Sequence, residues 1–504
     1  MNKVLASLVK KETLTARLLY LGYFVLLIIL AAFHSIWRDE MYTLNTTSQD
    51  IIGTFKHAIS FESQAPLYFI VLKLWRLISD SVFFARLFSI IIMMITVYLA
   101  SDLAKRYIPW ASKYFPFIVA LNPFTIWAAL EIRVYGTVML LSTILLILFH
   151  EAYLKEDNNK KTRVAMICVA VVSLMTHYFA GFLLAANGLC LLVFGRFKSL
   201  KRYVIDMIIP LFLIGIFVLY IAKQFTNHTT AVVEPISILS ALKFVFSRFE
   251  ILLFNFDFFT LTTWQRDVIR FLFLFVLFVS AFKFFDKERY KDFILKNYFL
   301  PIVFLIALLF VLVHYVSKGE ILLTRHFSIL FLPFLLFFVF SIGSLYKPVF
   351  YKPLFIVLIF SYVFIDCIVY SKDRMSTVKQ SIAFVQRQEK LNEPVLAYRN
   401  KIAMDFEWYY KGKNKFCTLP QHIDFSKPYN DDSWVINNSA DFRKAISNYT
   451  EGTNRFWFIV DSDPDEMYRL RFHYDTLENL LKTDFTIEKD TAINGIRVRL
   501  LDKK

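Results

Sequence analysis

The sequence predicts an α-helical polytopic membrane protein with about 11 transmembrane helices, followed by a small C-terminal extracytoplasmic α/β domain. Composition is the first reason. The 504 residues are 57% hydrophobic and 18% aromatic, and the mean hydropathy of +0.50 is well above that of soluble domains. The second reason is that the apolar residues form long runs as far as Tyr370 and only short runs after it. A soluble enzyme is therefore excluded.

The long apolar runs mark the predicted spans, because a helix needs ~20 residues to cross the hydrocarbon core. Basic segments between the runs, such as Lys155 to Arg163 and Arg196 to Arg202, fall on the side of the basic N-terminus. Since basic loops face the cytoplasm, we expect the N-terminus inside and the C-terminus outside. The spans are expected near residues 18–34, 81–104, 114–130, 136–154, 164–179, 180–195, 203–222, 267–285, 297–316, 326–346 and 353–370.

This topology divides the chain into a transmembrane domain, residues 1–370, and an extracytoplasmic domain, residues 371–504. The first outer loop, residues 35–80, contains an apolar run from Pro66 to Ile78 that is too short and too charged to span. We expect interfacial helices in this loop.

The extracytoplasmic domain has the alternation of short elements that is typical of an α/β fold. Residues 394–398, 456–460 and 495–501 have the composition of strands. Residues 465–481 are predicted to form one helix.

The formal net charge of +16 resides mostly in the loops between spans, where it reports membrane orientation. We therefore expect the lipid bilayer, and no nucleic acid, as a partner. The four cysteines have no metal-ligand spacing, and no disulfide framework is predicted.

Polar residues gather at the predicted outer ends of the spans. They include the carboxylates Asp39 and Glu40 after the first span and the Glu-x-Arg-x-Tyr sequence between the third and fourth spans. Charges at one face of a membrane domain mark a candidate site, because ionised groups are costly in hydrocarbon. The other members are Tyr68, Glu131, Arg133, Tyr135, His177, Tyr178, His314, Lys318, Arg325 and His326.

The order of these motifs resembles the GT-C superfamily of polytopic glycosyltransferases, and in particular its bacterial branch around aminoarabinose transferase and the protein O-mannosyltransferases. The residues that carry the resemblance are Asp39-Glu40, Pro66-Leu67-Tyr68, Asn122-Pro123-Phe124 leading to Glu-x-Arg-x-Tyr, Thr176-His177-Tyr178 and Arg325 before a late span. The likeness covers roughly residues 15–370. It implies a GT-C fold in a bacterial inner (plasma) membrane.

The resemblance also implies a function, which is the transfer of a hexosyl or pentosyl group from a polyprenyl phosphate, with inversion. The acceptor would be a glycolipid, a polysaccharide or a protein of the cell envelope, as for a mannosyltransferase-like enzyme. By the resemblance Asp39 is the catalytic base and Glu40 a second catalytic candidate; the alternative for Asp39 is a helix cap or a surface charge.

The donor phosphate would be bound by Arg133, Arg325 and Lys318, because a guanidinium binds phosphate through two parallel hydrogen bonds. Alternatively, Arg325 is an interfacial anchor and Arg133 pairs with Glu131. The supporting residues would be Glu131, Tyr135, His177, Tyr178, Tyr68 and His326.

The sequence requires no cofactor. Glu131, His177 and His314 are candidate ligands for a divalent metal ion, but their spacing is not diagnostic, and the alternative is that the two histidines, each beside a tyrosine at a span end, are interfacial residues. The chain departs from the family pattern before Pro66, where Gln64-Ala65 replaces a basic residue or His. Two other functions remain open, a polymerase or ligase of lipid-linked glycans and a transporter or flippase of lipid-linked sugars. A transporter would predict charged or broken helices at the midplane, whereas the charges here gather at one face.

Overall fold

The structure is a computed structural model that describes residues 14–155, 159–225, 236–254, 264, 271, 298–317, 322–345, 348–371, 376–398, 400–422, 434–464, 466–493 and 495–504. The chain divides into two compact units. The first, here the helical unit, comprises residues 1–33 and 47–369. The second, here the sheet unit, comprises residues 34–46 and 370–504. The sheet unit thus combines a short segment that follows the first helix with the C-terminal part of the chain.

Long apolar helices make up most of the helical unit. Among the described residues, three helices, Val82–Tyr107, Tyr135–Leu154 and Pro348–Tyr370, are long and apolar enough to cross a membrane, or four spans if Arg17–Phe33 and Arg38–Ser48 form one. The total of about 11 spans stays a prediction. The span predicted at 267–285 lies outside the described residues, apart from Phe271. The helices up to the end of this unit are α1 (Leu14–Phe33), α2 (Arg38–Ser48), α3 (Ile51–Ser60), α4 (Leu67–Arg76), α5 (Val82–Tyr107), α6 (Phe115–Ala120), α7 (Pro123–Leu130), α8 (Tyr135–Phe149), α9 (Lys160–Thr176), α10 (Ala180–Val193), α11 (Phe197–Phe225), α12 (Ile238–Phe254), α13 (Phe299–Val316), α14 (Phe331–Leu345) and α15 (Pro348–Ser371).

The single span predicted at 114–130 is wrong, because the helix is broken between α6 and α7. Proline at the first position of α7 has no backbone N–H to continue a helix. Asn122 caps the new helix by accepting a hydrogen bond of 2.8 Å from the Phe124 N–H. Its amide also donates to the backbone carbonyls of Leu252 and Leu253, at 3.0 and 3.2 Å, which fixes α7 against the end of α12.

Two other predicted spans change helix type along their length. The span at 136–154 is α-helical to Phe149 and continues as a π-helix over His150–Leu154. The span at 326–346 begins as a 3-10 helix, Thr324–Ile329, and becomes α-helical only in α14. The tighter 3-10 turn places the residues that open this span on a connection between helices.

The first outer loop is helical, with the predicted interfacial helix present as α4. It is preceded by α3, whose N-cap Asp50 accepts a hydrogen bond of 2.5 Å from the Gly53 N–H. Apolar side chains of α3, among them Ile52 at 66%, are exposed, which suits a helix that lies at a membrane surface.

The sheet unit contains a five-stranded sheet in the order β2-β1-β3-β5-β4. Strand β1 pairs in parallel with β2 and β3, whereas β5 pairs antiparallel with β3 and β4. The predicted strands are confirmed as β1, β3 and β5, while β2 and β4 were not predicted. The strands are β1 (Val395–Tyr398), β2 (Phe416–Leu419), β3 (Arg455–Asp461), β4 (Phe485–Ile493) and β5 (Ile496–Lys503). The helices are α16 (Ser376–Gln388), α17 (Asn400–Tyr409), α18 (Ser439–Thr450), α19 (Glu466–Arg471) and α20 (Tyr474–Asp484).

The helix predicted at 465–481 is wrong, because it is two helices, α19 and α20. His473 between them has a left-handed backbone with φ of 50°. An α-helix cannot continue through this conformation, so the chain turns and restarts at Tyr474.

The central strand β3 supplies core residues to both faces of the sheet. Phe456, Phe458 and Val460 lie in one buried cluster, and Trp457 points to the opposite face. There the Trp457 ring meets Phe384 of α16 edge-on, with ring centroids 6.1 Å apart. Burying each of these large side chains stabilises the unit by about 1.5–3 kcal/mol, which makes β3 the rigid centre of the sheet.

Candidate functional site

The two carboxylates after α1 lie in the first turn of α2, in the sheet unit. Asp39 is 7% exposed and Glu40 is fully buried, so Asp39 is not the exposed surface charge that was its alternative. A Glu40 carboxylate oxygen accepts a hydrogen bond of 3.2 Å from the Trp37 N–H, and the Thr43 hydroxyl donates to the Asp39 carbonyl at 3.2 Å. Carboxylates are favoured at this end of a helix by its dipole. Glu40 therefore holds the start of the helix on which Asp39 lies.

The Glu-x-Arg-x-Tyr sequence forms the buried connection between α7 and α8 in the helical unit. Arg133 makes an ion pair of 2.8 Å with Glu62, and the two side chains are only 4% and 3% exposed. Glu62 was not among the predicted site residues. Its distance along the chain, 71 residues, explains why the sequence did not indicate it.

The other two residues of this sequence are buried beside it. Glu131 is 1% exposed, and its carbonyl accepts a hydrogen bond of 2.7 Å from the Ser89 hydroxyl. The Tyr135 ring stacks on Trp127, with centroids 5.1 Å apart. The backbone of the connection is therefore fixed on both sides of Arg133.

The Thr-His-Tyr sequence ends α9 and contacts two distant parts of the helical unit. The Tyr178 hydroxyl donates a hydrogen bond to the Ser63 carbonyl, next to Glu62 in the chain. The His177 ring lies 5.6 Å from the ring of His326, and Phe179 packs against His326 at 4.5 Å. Three predicted segments thus meet: the first outer loop, the end of α9 and the start of the span at 324.

His177 lies where these three segments contact each other. It is 6% exposed and lies in the connection between α9 and α10. The guanidinium groups of Arg133 and Arg325 both lie close enough to His177 to act on its imidazole electrostatically. We call the group Glu62, Arg133, His177, Arg325 and His326 the arginine cluster.

A further arginine next to the arginine cluster, Arg248, escaped the sequence analysis. Its guanidinium donates a hydrogen bond of 2.7 Å to the Thr324 hydroxyl, immediately before Arg325, and lies 4.4 Å from the centre of the Phe244 ring. Phe244 in turn stacks on His314 with a centroid distance of 3.8 Å. The signal in the sequence is weak, because Arg248 shares the mostly apolar α12 with two other charged residues, Lys243 and Glu250.

The remaining predicted residues have other surroundings. Tyr68 is 2% exposed and packs against the rings of Phe69 and Phe88. Lys318 lies outside the described residues.

The candidate metal ligands Glu131, His177 and His314 do not form a ligand set in the part of the chain that the structure describes, where no group of three His, Cys, Asp or Glu side chains converges. His314 is stacked on a phenyl ring, and His177 faces two cationic side chains. A divalent cation at His177 would be repelled by these two positive charges. These residues do not fit a metal site.

Comparison of the chain with known proteins shows a match in structure but none in sequence. No family model matches the chain, and no curated protein matches it in sequence. Among solved structures, ArnT from Cupriavidus metallidurans bound to undecaprenyl phosphate matches 97% of this chain and 98% of its own, with a TM-score of 0.53 and 11% identity. The chain has the ArnT fold. The apo structure of the same ArnT covers 96% of this chain and 97% of its own, at a TM-score of 0.44 and 11% identity.

The resemblance of the motifs is therefore confirmed at the level of fold alone. The likeness to ArnT extends over nearly the whole chain and not only over the predicted residues 15–370. The ArnT fold therefore includes the sheet unit as well as the helices.

Proposed function

We propose that this chain is an integral-membrane glycosyltransferase that moves a sugar from a polyprenyl-phosphate donor to an acceptor on the outer face of the membrane, with inversion. The observation that carries the proposal is that Arg133 and Arg325 both lie beside the buried His177. Such a site favours an anion. The ArnT structure of the same fold is bound to undecaprenyl phosphate, a ligand of the proposed class.

The donor phosphate would be bound by Arg133, Arg325 and Arg248, with Lys318 as a further proposed contact. A planar guanidinium matches two phosphate oxygens at once. Negative charge grows on the phosphate as the sugar leaves, and fixed cations in a site of low dielectric stabilise that charge. Burial of Arg133 beside Glu62 holds its guanidinium in one orientation before the donor binds.

Asp39 would be the catalytic base. Its carboxylate takes the proton of the acceptor hydroxyl while the hydroxyl oxygen forms a bond to the anomeric carbon. The bond from that carbon to the phosphate oxygen breaks, and polyprenyl phosphate leaves with the electron pair. A single displacement of this kind inverts the anomeric centre and needs one base, in contrast to the carboxylate nucleophile of a retaining enzyme. Glu40 supports the base through its bond to the Trp37 N–H.

The donor would carry a hexose or a pentose, and the acceptor would be a glycolipid, a polysaccharide or a protein of the cell envelope. The location that suits this reaction is a bacterial inner membrane, with the N-terminus cytoplasmic and the C-terminus extracytoplasmic. Residues 1–370 would then be the catalytic transmembrane domain, and 371–504 the extracytoplasmic domain.

The test is sugar transfer by the purified protein in lipid, with a panel of polyprenyl-phosphate sugars as donors. We expect Asp39→Asn to lower the turnover rate by about 10²- to 10⁴-fold, because a general base is lost, while binding of polyprenyl phosphate is retained. Asp50→Asn is the matched control, since Asp50 caps α3 through its side-chain oxygen and Asn preserves that bond.

Two results would contradict the proposal. Unchanged turnover in Asp39→Asn would remove Asp39 as the base. Absence of transfer from every donor, together with joining of lipid-linked glycans or movement of the donor across the bilayer, would favour the polymerase or the flippase instead.

A further inference from the structure

The segment between α1 and α2 is held by residues far along the chain within the sheet unit. The Ile36 N–H donates a hydrogen bond of 2.6 Å to the Tyr409 hydroxyl at the end of α17. The ring of His34 meets the ring of Tyr370 edge-on, with centroids 6.0 Å apart. Ile36 is 2% exposed, so its amide is out of reach of bulk water. A buried amide needs such a partner, because an N–H group that leaves water without a new acceptor destabilises the folded state.

The Ile36 amide lies three residues before Asp39, and the backbone between them is fixed from the other side. The Trp37 N–H is bonded to the Glu40 carboxylate at 3.2 Å, and the Trp37 carbonyl accepts from the Met41 N–H at 3.1 Å. Ile36 is thus bonded to Tyr409, and the next residue, Trp37, is bonded to the first turn of α2. A displacement of the Tyr409 hydroxyl would move the start of the helix that carries Asp39.

The Tyr409 side chain is itself held in place by a residue of the neighbouring helix. The Lys379 ammonium lies 5.1 Å from the centre of its ring, which joins the end of α17 to α16. The next residue, Tyr410, is bonded through its hydroxyl to the Glu389 carboxylate. The Lys413 N–H donates to the same carboxylate at 2.9 Å. Tyr409 is thus bonded to the segment that precedes Asp39, whereas Tyr410 is bonded to Glu389 in the C-terminal part of the sheet unit.

We propose that Tyr409 is a positioning residue, whose hydroxyl accepts the Ile36 amide and thereby sets the position of Asp39 for proton transfer. This inference rests on the proposed function of Asp39. It gives the C-terminal domain a role in the reaction that does not require the domain to touch either substrate. A shift of the base by about 1 Å can cost up to about 100-fold in rate, so one hydrogen bond of this kind is sufficient to matter.

The experiment compares Tyr409→Phe with Tyr410→Phe in the full chain in lipid. Each variant lacks one tyrosine hydroxyl, and the two tyrosines are adjacent in the same domain. Hydrogen exchange at the Ile36 amide is expected to accelerate at least tenfold in Tyr409→Phe and to stay at the wild-type rate in Tyr410→Phe. Turnover in Tyr409→Phe is expected to fall about 10- to 100-fold with the donor KM unchanged, because the donor phosphate is bound elsewhere.

Unchanged exchange at Ile36 in Tyr409→Phe, or equal losses of turnover in both variants, would overturn the inference. A general loss of folding would lower the thermal midpoint of both variants together and would change the donor KM as well. If the wild type transfers no sugar from any donor, the proposed function fails, and exchange at Ile36 still decides whether Tyr409 holds the segment.

Discussion

The buried ion pair between Glu62 and Arg133 allows a sharp test of the arginine cluster. Replacing Glu62 by Gln keeps the shape of the side chain and removes the negative charge that faces Arg133 at 2.8 Å. Breaking a buried pair costs ~3–5 kcal/mol, because the remaining charge stays out of water without its partner. The exposed fractions of 4% and 3% place this pair in the buried class, so we expect a loss of stability in that range.

The assay is unfolding of the purified protein in detergent, followed by ligand binding to the folded fraction. Asp475→Asn is the control, since its pair with Arg469 is 65% and 53% exposed and should leave the unfolding midpoint unchanged. The same Glu62→Gln change makes the arginine cluster more positive, so the affinity for polyprenyl phosphate should rise about tenfold, which corresponds to ~1.4 kcal/mol. Stability equal to that of the control would refute the burial argument, and weaker phosphate binding would refute the anion site.

A further prediction concerns Arg248, the arginine next to the arginine cluster. Arg248→Gln should weaken binding of polyprenyl phosphate about tenfold without changing Asp39-dependent proton transfer, and binding equal to wild type would remove Arg248 from the site.

Hydrophobic runs predicted the positions of several helices, such as α5 (Val82–Tyr107) and α15 (Pro348–Ser371), because a segment that crosses lipid must be long and apolar. They did not predict α12 (Ile238–Phe254). Their breaks were harder to predict. Pro123 with Asn122 before it is a recognisable helix start, yet the apolar residues on both sides, such as Phe117 and Ile126, hide it within one run. A hydropathy pattern does not show where one helix ends and the next begins within a continuous apolar run.

The strands that were missed have weak signals for a physical reason. Strand β4 lies at the edge of the sheet, and apart from Phe485 its side chains are exposed or half-buried, so its sequence reads as polar. Strand β2 has four residues and follows a lysine-rich turn. Likewise, nothing local marks His473 as left-handed, since neither Gly nor Pro precedes it. These features depend on neighbours that come from elsewhere in the chain.

The predicted site residues were chosen by residue type and sidedness, which identified Arg133, His177 and Arg325 as candidates but not their partners. Glu62 and Arg248 approach them across long separations in sequence, and Ser63 reaches Tyr178 across 115 residues. A single sequence has no signal for such pairings. The structure was needed to bring them together.

The charges of the arginine cluster also bear on the ligand class. Arg133 and Arg325 both act on the buried His177, and Arg248 is bonded to Thr324, next to Arg325. Guanidinium groups placed around one imidazole repel a metal ion and attract a phosphate. The same charges thus argue against a metal at His177 and for the anionic leaving group of the proposed polyprenyl-phosphate donor.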